Sequence, residues 1–208
     1  MKLVEQKICD FVDVLASDAP APGGGSTAAL SAAMGIALTQ MVAALTVGKP
    51  KYAEHDELAQ QILHDAQVFR LKLTDAVDKD TEAFNGVSAV FAMPKATDCE
   101  KAARKDAMQE ALKQATAVPF EVMELALEAL ELTARAVGKS NTNAVSDLGV
   151  ASLSLLAGIK GAWLNVLINV AGITDEEFVA SRKAKGSEIV GKAEIISARI
   201  YSEIISTL

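Results

Sequence analysis

The 208-residue chain carries 20 lysines and arginines against 27 aspartates and glutamates, and its formal charge of −7 argues against a nucleic-acid partner. Half of the residues are hydrophobic but only 4% are aromatic, and alanine, leucine and valine dominate, so the bias is toward helix. Cys9 and Cys99 belong to no Cys-x-x-Cys pair and have no histidine cluster nearby, which suggests neither a disulfide framework nor a zinc site and suits a reducing cytoplasm; the charges in "MKLVEQKICD" interrupt any signal-peptide core.

Leu3 to Ala16 reads as a short amphipathic stretch, stopped by "PAPGGG". Ser26 or Thr27 is then placed to cap the next helix with a side-chain oxygen on free backbone amides. That helix, 27–47, has no charge and is long enough to cross a bilayer. Its alanines, threonines, serine and glutamine leave few of the residues that drive insertion, so a buried core helix and no membrane partner are expected. Gly48 and Pro50 end it. Helical patterning then runs from 52 to 92, closed by Pro94, and from 98 to about 137, where Pro119 is expected to kink or break the helix and Gly138 ends it. "KSNTNAVSD" leads into a second apolar helix, 148–171, interrupted by Lys160, Asn165 and Asn169. "TDEEF" opens the last helix, toward Ile205, with Asp175 and its neighbours favourable to the N-terminal dipole.

Nothing alternates like a strand, and no linker, repeat or shift of composition divides the chain. The expected fold is an all-α, single-domain bundle over residues 1–208, of about six or seven helices. The two helices apolar on every face form a central pair, and their full coverage calls for a homodimer.

Four polar features stand out against this background. The inward seam of the third helix runs through Phe69, Leu73, Val77, Asp80, Phe84, Val87 and Phe91, so Asp80 either drifts to the edge and pairs there or faces a pocket. In "NTNAVSD", Asn143 can cap and Asp147 can complement the helix dipole, but Asn141, Asn143, Ser146 and Asp147 together are more polarity than a cap needs and read as a candidate site. "GGGS", Gly23 to Ser26, lacks a Walker lysine and follows no strand; its glycines allow a turn other residues resist and a close approach of backbone to a ligand or helix. Lys49 and Lys51 either complement a helix C-terminus or meet a ligand's carboxylates, while His55 and His64 fit a solvated face better than catalysis.

"PAPGGGSTAAL", "VGKPKY", "DKDTEAFNGVSAVFAMPK" and "NTNAVSDLGVAS", in that order along nearly the whole chain, resemble the cyclodeaminase/cyclohydrolase family of folate enzymes. The resemblance implies an all-helical dimer acting on a tetrahydrofolate derivative, with no metal and no cofactor beyond that substrate. It implies hydrolysis of 5,10-methenyltetrahydrofolate to 10-formyltetrahydrofolate, or cyclodeamination of formiminotetrahydrofolate with release of ammonia, or a scaffold that binds folate without turnover. The fused transferase has no counterpart here, which favours the cyclohydrolase. Both reactions pass through a tetrahedral carbon flanked by nitrogens and ask for proton transfer beside changing positive charge. On this reading Asp147 and Asp80 share one cleft as the proton-transfer pair. Gly23, Gly24, Gly25, Ser26, Asn141, Asn143 and Ser146 bind and orient the substrate, and Lys49 and Lys51 are candidates for the glutamate tail.

Overall fold

The architecture follows from which helices have an apolar face and where the chain can turn. The computed structural model describes residues 2–208. Among them there are six α-helices and no strand: α1 (Ile8–Leu15), α2 (Gly24–Ala44), α3 (Asp56–Phe91), α4 (Asp98–Ala136), α5 (Val145–Val170) and α6 (Glu176–Ile205). The expected all-α bundle is therefore what forms. Short 3-10 turns at Leu3–Glu5, Pro50–His55 and Thr142–Ala144 make up the connections, and the first of them splits the amphipathic stretch expected at 3–16.

Helix boundaries have local causes. Gly48 and Gly138, both at positive φ, follow the ends of α2 and α4, where a left-handed residue releases the chain. Thr97 and Glu100 form a reciprocal capping box at the start of α4. Asp175 caps α6 by accepting from the Phe178 amide at 3.0 Å, and it also pairs with Lys113 of α4 at 2.8 Å. Pro119 does not break α4, which runs through it.

Helices α2, α3, α4 and α5 form a ring around one core, and α6 closes the side of α4 and α5. Leu73, Met123, Leu130, Leu148, Leu155 and Ile159 are fully buried there, each contributing about 1.5–3 kcal/mol by leaving water. Helices α2 and α5 run antiparallel and very close. A Cβ on Gly158 would lie 2.8 Å from the Ala32 Cβ, and one on Gly35 would lie 2.8 Å from the Ala151 carbonyl. Two polar pairs link helices within the core: Thr39 with Thr133 at 2.7 Å and Ser152 with Ser197 at 2.9 Å.

The single chain leaves one apolar face open, and one sequence expectation changes. The apolar helices are not covered on all sides: Met34 and Met41 of α2, Leu45 just after it, and Val150, Leu153, Leu164 and Ile168 of α5 are exposed, Leu164 and Ile168 at 67% and 73%. At helical spacing these residues fall on the same side of the α2–α5 pair and make one apolar face. The α3 seam also departs from the core after Asp80. Leu73 and Val77 are buried but Phe84 and Phe91 are exposed, because α3 and α4, with 36 and 39 residues, outrun the 21-residue α2 and project beyond its first turn.

Candidate functional site

The overhang of α3 and α4 past the start of α2 leaves a cleft of about 310 Å³, within the usual size of a small-molecule site, ~300–1,000 Å³. Its floor is Gly23–Gly25, one wall is Asp80, Thr81, Phe84 and Val87 of α3, and the other is Asn165, Ile168 and Asn169 of α5 with Ala115 of α4. Asp80 is the one ionisable side chain among these residues, so the cleft is neutral or carries a single negative charge.

The glycine triplet serves a close approach. Its residues are at negative φ or in the helix, which corrects the expectation of a turn needing positive φ. A Cβ on Gly25 would overlap the Asp80 carboxyl group, one on Gly24 would come to 3.3 Å from Asn165 Nδ2, and one on Gly23 would meet nothing within 4 Å. Ser26 does not cap α2 either; Gly23 is the cap position, and the Thr27 hydroxyl turns back to donate to the Gly23 carbonyl at 2.9 Å. Ser26 is fully buried, with its Oγ 2.9 Å from the Val77 carbonyl, 3.1 Å from Asp80 Oδ2 and 3.2 Å from Thr81 Oγ1.

A serine hydroxyl has one proton to give, and here the Val77 carbonyl, Asp80 Oδ2 and Thr81 Oγ1 can each accept it. With Asp80 ionised, the Ser26 hydroxyl donates to the carboxylate. With Asp80 neutral, the carboxyl O–H donates to Ser26 Oγ and the hydroxyl turns to the Val77 carbonyl. Neither state leaves Asp80 Oδ2 or the hydroxyl without a partner, so the network suits a group that gains and loses a proton. Burial pushes the Asp80 carboxyl above its ordinary range, while the Ser26 hydroxyl and backbone amide pull it back down.

The "NTNAVSD" cluster is elsewhere. Because α2 and α5 are antiparallel, Gly24 meets Asn165 at one end, while Asn141 meets the last turn of α2 at the other: its amide N donates to Thr46 Oγ1 at 2.9 Å and its Nδ2 to the Leu45 carbonyl at 3.0 Å. Asn143 does not cap α5, whose N-cap position is Ala144 with no side-chain bond; Asn141 caps the short turn before it, its Oδ1 accepting from the Asn143 amide at 3.0 Å. Asn143 and Ser146 are exposed and Asp147 is half-buried in the first turn of α5. Lys51 Nζ donates to Thr142 Oγ1 at 3.1 Å and lies over the Tyr52 ring, with exposed Lys49 beside it. From Asp147 to Asn165 along α5 is about 27 Å at 1.5 Å per residue. Within one chain, then, Asp80 and Asp147 do not share a cleft. His55 is half-buried next to Glu54 and His64 is exposed, and neither lines the cleft.

Sequence reasoning passed over Asn165 and Asn169 as interruptions of an apolar run. Their signal was available: two amides four residues apart on one face of an otherwise apolar helix. Thr81, next to Asp80, carried no such signal. Among the described residues no group of three or more His, Cys, Asp or Glu is placed to hold a metal ion.

The fold and cleft define a helical small-molecule protein that presents one protonatable carboxyl group beside two amides and an apolar wall. The chain belongs to the formiminotransferase-cyclodeaminase family, whose profile matches residues 7–188. It is 43% identical to the methenyltetrahydrofolate cyclohydrolase of Methylorubrum extorquens, over 94% of both chains. It is 33% identical to the formimidoyltransferase-cyclodeaminase of Sus scrofa over 97% of this chain but 37% of that one. Its fold matches the crystal structure of formiminotetrahydrofolate cyclodeaminase from Thermotoga maritima with a TM-score of 0.80 and 29% identity, over 98% of this chain and 96% of the other.

Proposed function

We propose that this protein is a methenyltetrahydrofolate cyclohydrolase. The observation that carries the reading is the 43% identity to a cyclohydrolase over 94% of both chains. The cleft agrees chemically. 5,10-Methenyltetrahydrofolate is a cation at the reacting carbon, and the cleft's one ionisable group is a carboxyl. As water adds to the carbon between N5 and N10, ionised Asp80 takes a proton from it. The tetrahedral adduct then breaks its bond to N5, Asp80 returns that proton to N5, and the hydroxyl proton leaves to solvent as the formyl C=O forms. Water and the cation thus become 10-formyltetrahydrofolate and one proton. Burial fits Asp80 for this by making its anion a stronger base than an exposed aspartate. No step changes an oxidation state, so no cofactor beyond the folate is proposed, and exposed, unpaired Cys9 and Cys99 suit a cytoplasmic setting.

The match to a solved cyclodeaminase favours a second reading, in which neutral Asp80 protonates departing ammonia at the same tetrahedral carbon. Purified protein given 5,10-methenyltetrahydrofolate should remove the methenyl absorbance faster than buffer does. Given formiminotetrahydrofolate, it should produce neither that absorbance nor ammonia. The reverse pattern selects the cyclodeaminase, and activity on neither substrate removes both enzymes.

We further propose that the working unit is a homodimer formed through the α2–α5 face. That face is continuous from Ile168, which lines the cleft, to Leu45 and Val150 beside the "NTNAVSD" cluster. Two copies packed on it with their helices antiparallel bury it completely and place each cleft against the other copy's second cluster. Asp80 then faces the partner's Asp147, with the partner's Asn141, Asn143 and Ser146 nearby, and the partner's Lys49 and Lys51 are available to the glutamate carboxylates of the tail. Chains bearing Asp80→Asn and chains bearing Asp147→Asn should each be inactive alone. Mixed through an unfolding and refolding cycle, they should recover about a quarter of normal activity, because half of random dimers are mixed and each mixed dimer has one intact site. No recovery on mixing, or a monomer by sedimentation, removes the shared site.

A further inference from the structure

Pro119 lies inside α4, fully helical on both sides and buried. Proline has no N–H, so the carbonyl four residues earlier, that of Ala115, loses the helical donor it would otherwise have. That carbonyl is not left bare: Asn169 Nδ2, from the next helix of the ring, donates to it at 2.8 Å. One turn earlier on α5, Asn165 Nδ2 donates to the Gly161 carbonyl at 2.9 Å and sits against the start of α2 at Gly24. Both side chains line the cleft.

These bonds settle which way each amide points. A backbone carbonyl only accepts, so Nδ2 must face it in both residues, which leaves each Oδ1 and the second N–H of each Nδ2 for another partner. We propose that Asn165 and Asn169 form the subsite that reads the polar edge of the substrate's fused heterocycle, and that Pro119 is a positioning residue whose missing N–H fixes the Asn169 amide there. The ligand edge such a pair fits is a planar, uncharged lactam or amidine edge, with N–H donors beside a carbonyl or ring-nitrogen acceptor. The apolar surface beside the pair, Phe84, Val87 and Ile168, suits the ring faces. Recognition by neutral amides also keeps selection of the ring independent of the protonation of Asp80. This inference rests on the folate reading above, because it takes the cleft as the place where the heterocycle binds.

The test separates the two. Binding of 5-formyltetrahydrofolate, a stable reduced folate, is measured beside binding of p-aminobenzoylglutamate, which lacks the heterocycle. Asn165→Ala and Asn169→Ala should each weaken the reduced folate about tenfold or more, the scale of losing one well-placed buried hydrogen bond, and leave p-aminobenzoylglutamate unchanged. Pro119→Ala restores an N–H to Ala115 and improves helix propensity, so its melting temperature should be no lower than normal. It should nonetheless weaken the reduced folate several-fold, since Asn169 now competes for its own anchor. A fold-only role for Pro119 predicts the opposite, a change in melting temperature without a change in affinity. Normal affinity in both asparagine variants overturns the subsite, and normal affinity in Pro119→Ala overturns its positioning by proline. If the unaltered protein binds no reduced folate, the folate reading itself fails.

Discussion

Replacing Asp80 with asparagine should lower turnover roughly a hundredfold or more, the usual scale of general acid–base assistance, while making the protein more stable above mildly acidic pH. The activity follows from geometry. Asparagine keeps the size of the side chain and its contact with Ser26, but it cannot take a proton from water or return one to a leaving nitrogen. The stability follows from linkage. Burial raises the folded-state affinity of Asp80 for its proton above the ordinary aspartate value of 3.8. A group raised in this way contributes its stability below its unfolded pKa and loses it as pH rises through the folded one. Above that point the native state holds a desolvated anion, and Asp80→Asn does not. The variant's advantage in melting temperature should therefore be absent near pH 3, grow as pH rises past the ordinary aspartate range, and then level off. Equal melting curves at all pH values would mean that the Ser26 hydroxyl and amide fully offset the burial, and normal turnover would remove Asp80 from the chemistry.

The second large effect is expected at Gly25. Gly25→Ala places a methyl group where the Asp80 carboxyl group lies, so either the carboxyl group or the first turn of α2 must move. Overpacking of this kind typically costs about 1–3 kcal/mol, set against a gain of up to about 1 kcal/mol from alanine's better helix propensity. Turnover should fall at least as far as in Asp80→Asn, because displacement of the carboxyl group disrupts the site even where the fold survives. The neighbours provide the controls. Gly24→Ala needs Asn165 to yield by a few tenths of an ångström and should have a smaller effect, while Gly23→Ala, with open space around its Cβ, should behave nearly as the unaltered protein does. Pairing Gly25→Ala with Asp80→Ala should recover the lost stability without the activity, a coupling expected only if the two residues are in contact. Three glycines of equal sensitivity would contradict the geometry, as would a tolerant Gly25.

Fold class was legible because helix formation depends on short-range properties that a sequence displays directly. The spacing of apolar residues marked α3 and α4, turn residues such as Gly48 and Gly138 marked where helices end, and the scarcity of aromatic residues with the lack of any alternating stretch argued against a sheet. A carboxylate in the α3 seam was likewise visible as a local break in pattern, and the four ordered motifs pointed to the family to which the chain belongs. The exposed face of α2 and α5 was half legible. Their lack of charge showed that they need cover, but only packing showed which side the other helices leave open.

What the tertiary structure decided are the relations between residues distant along the chain. Gly25 and Asp80 come together because α2 and α3 pack in one particular register, and periodicity within each helix says nothing of the register between two. Asp80 and Asp147, joined in one cleft on the sequence reading, lie at opposite ends of the chain's bundle because α2 and α5 are antiparallel, an orientation fixed by close contacts at Gly35 and Gly158. Asn169 could be seen as a polar residue in an apolar helix, yet its partner is a carbonyl freed by a proline on another helix, fifty residues away. A residue's own chemistry and its near neighbours set the elements of this protein; the site depends on atoms that the chain brings together only when those elements pack, and the energies that choose that packing are summed over the whole core.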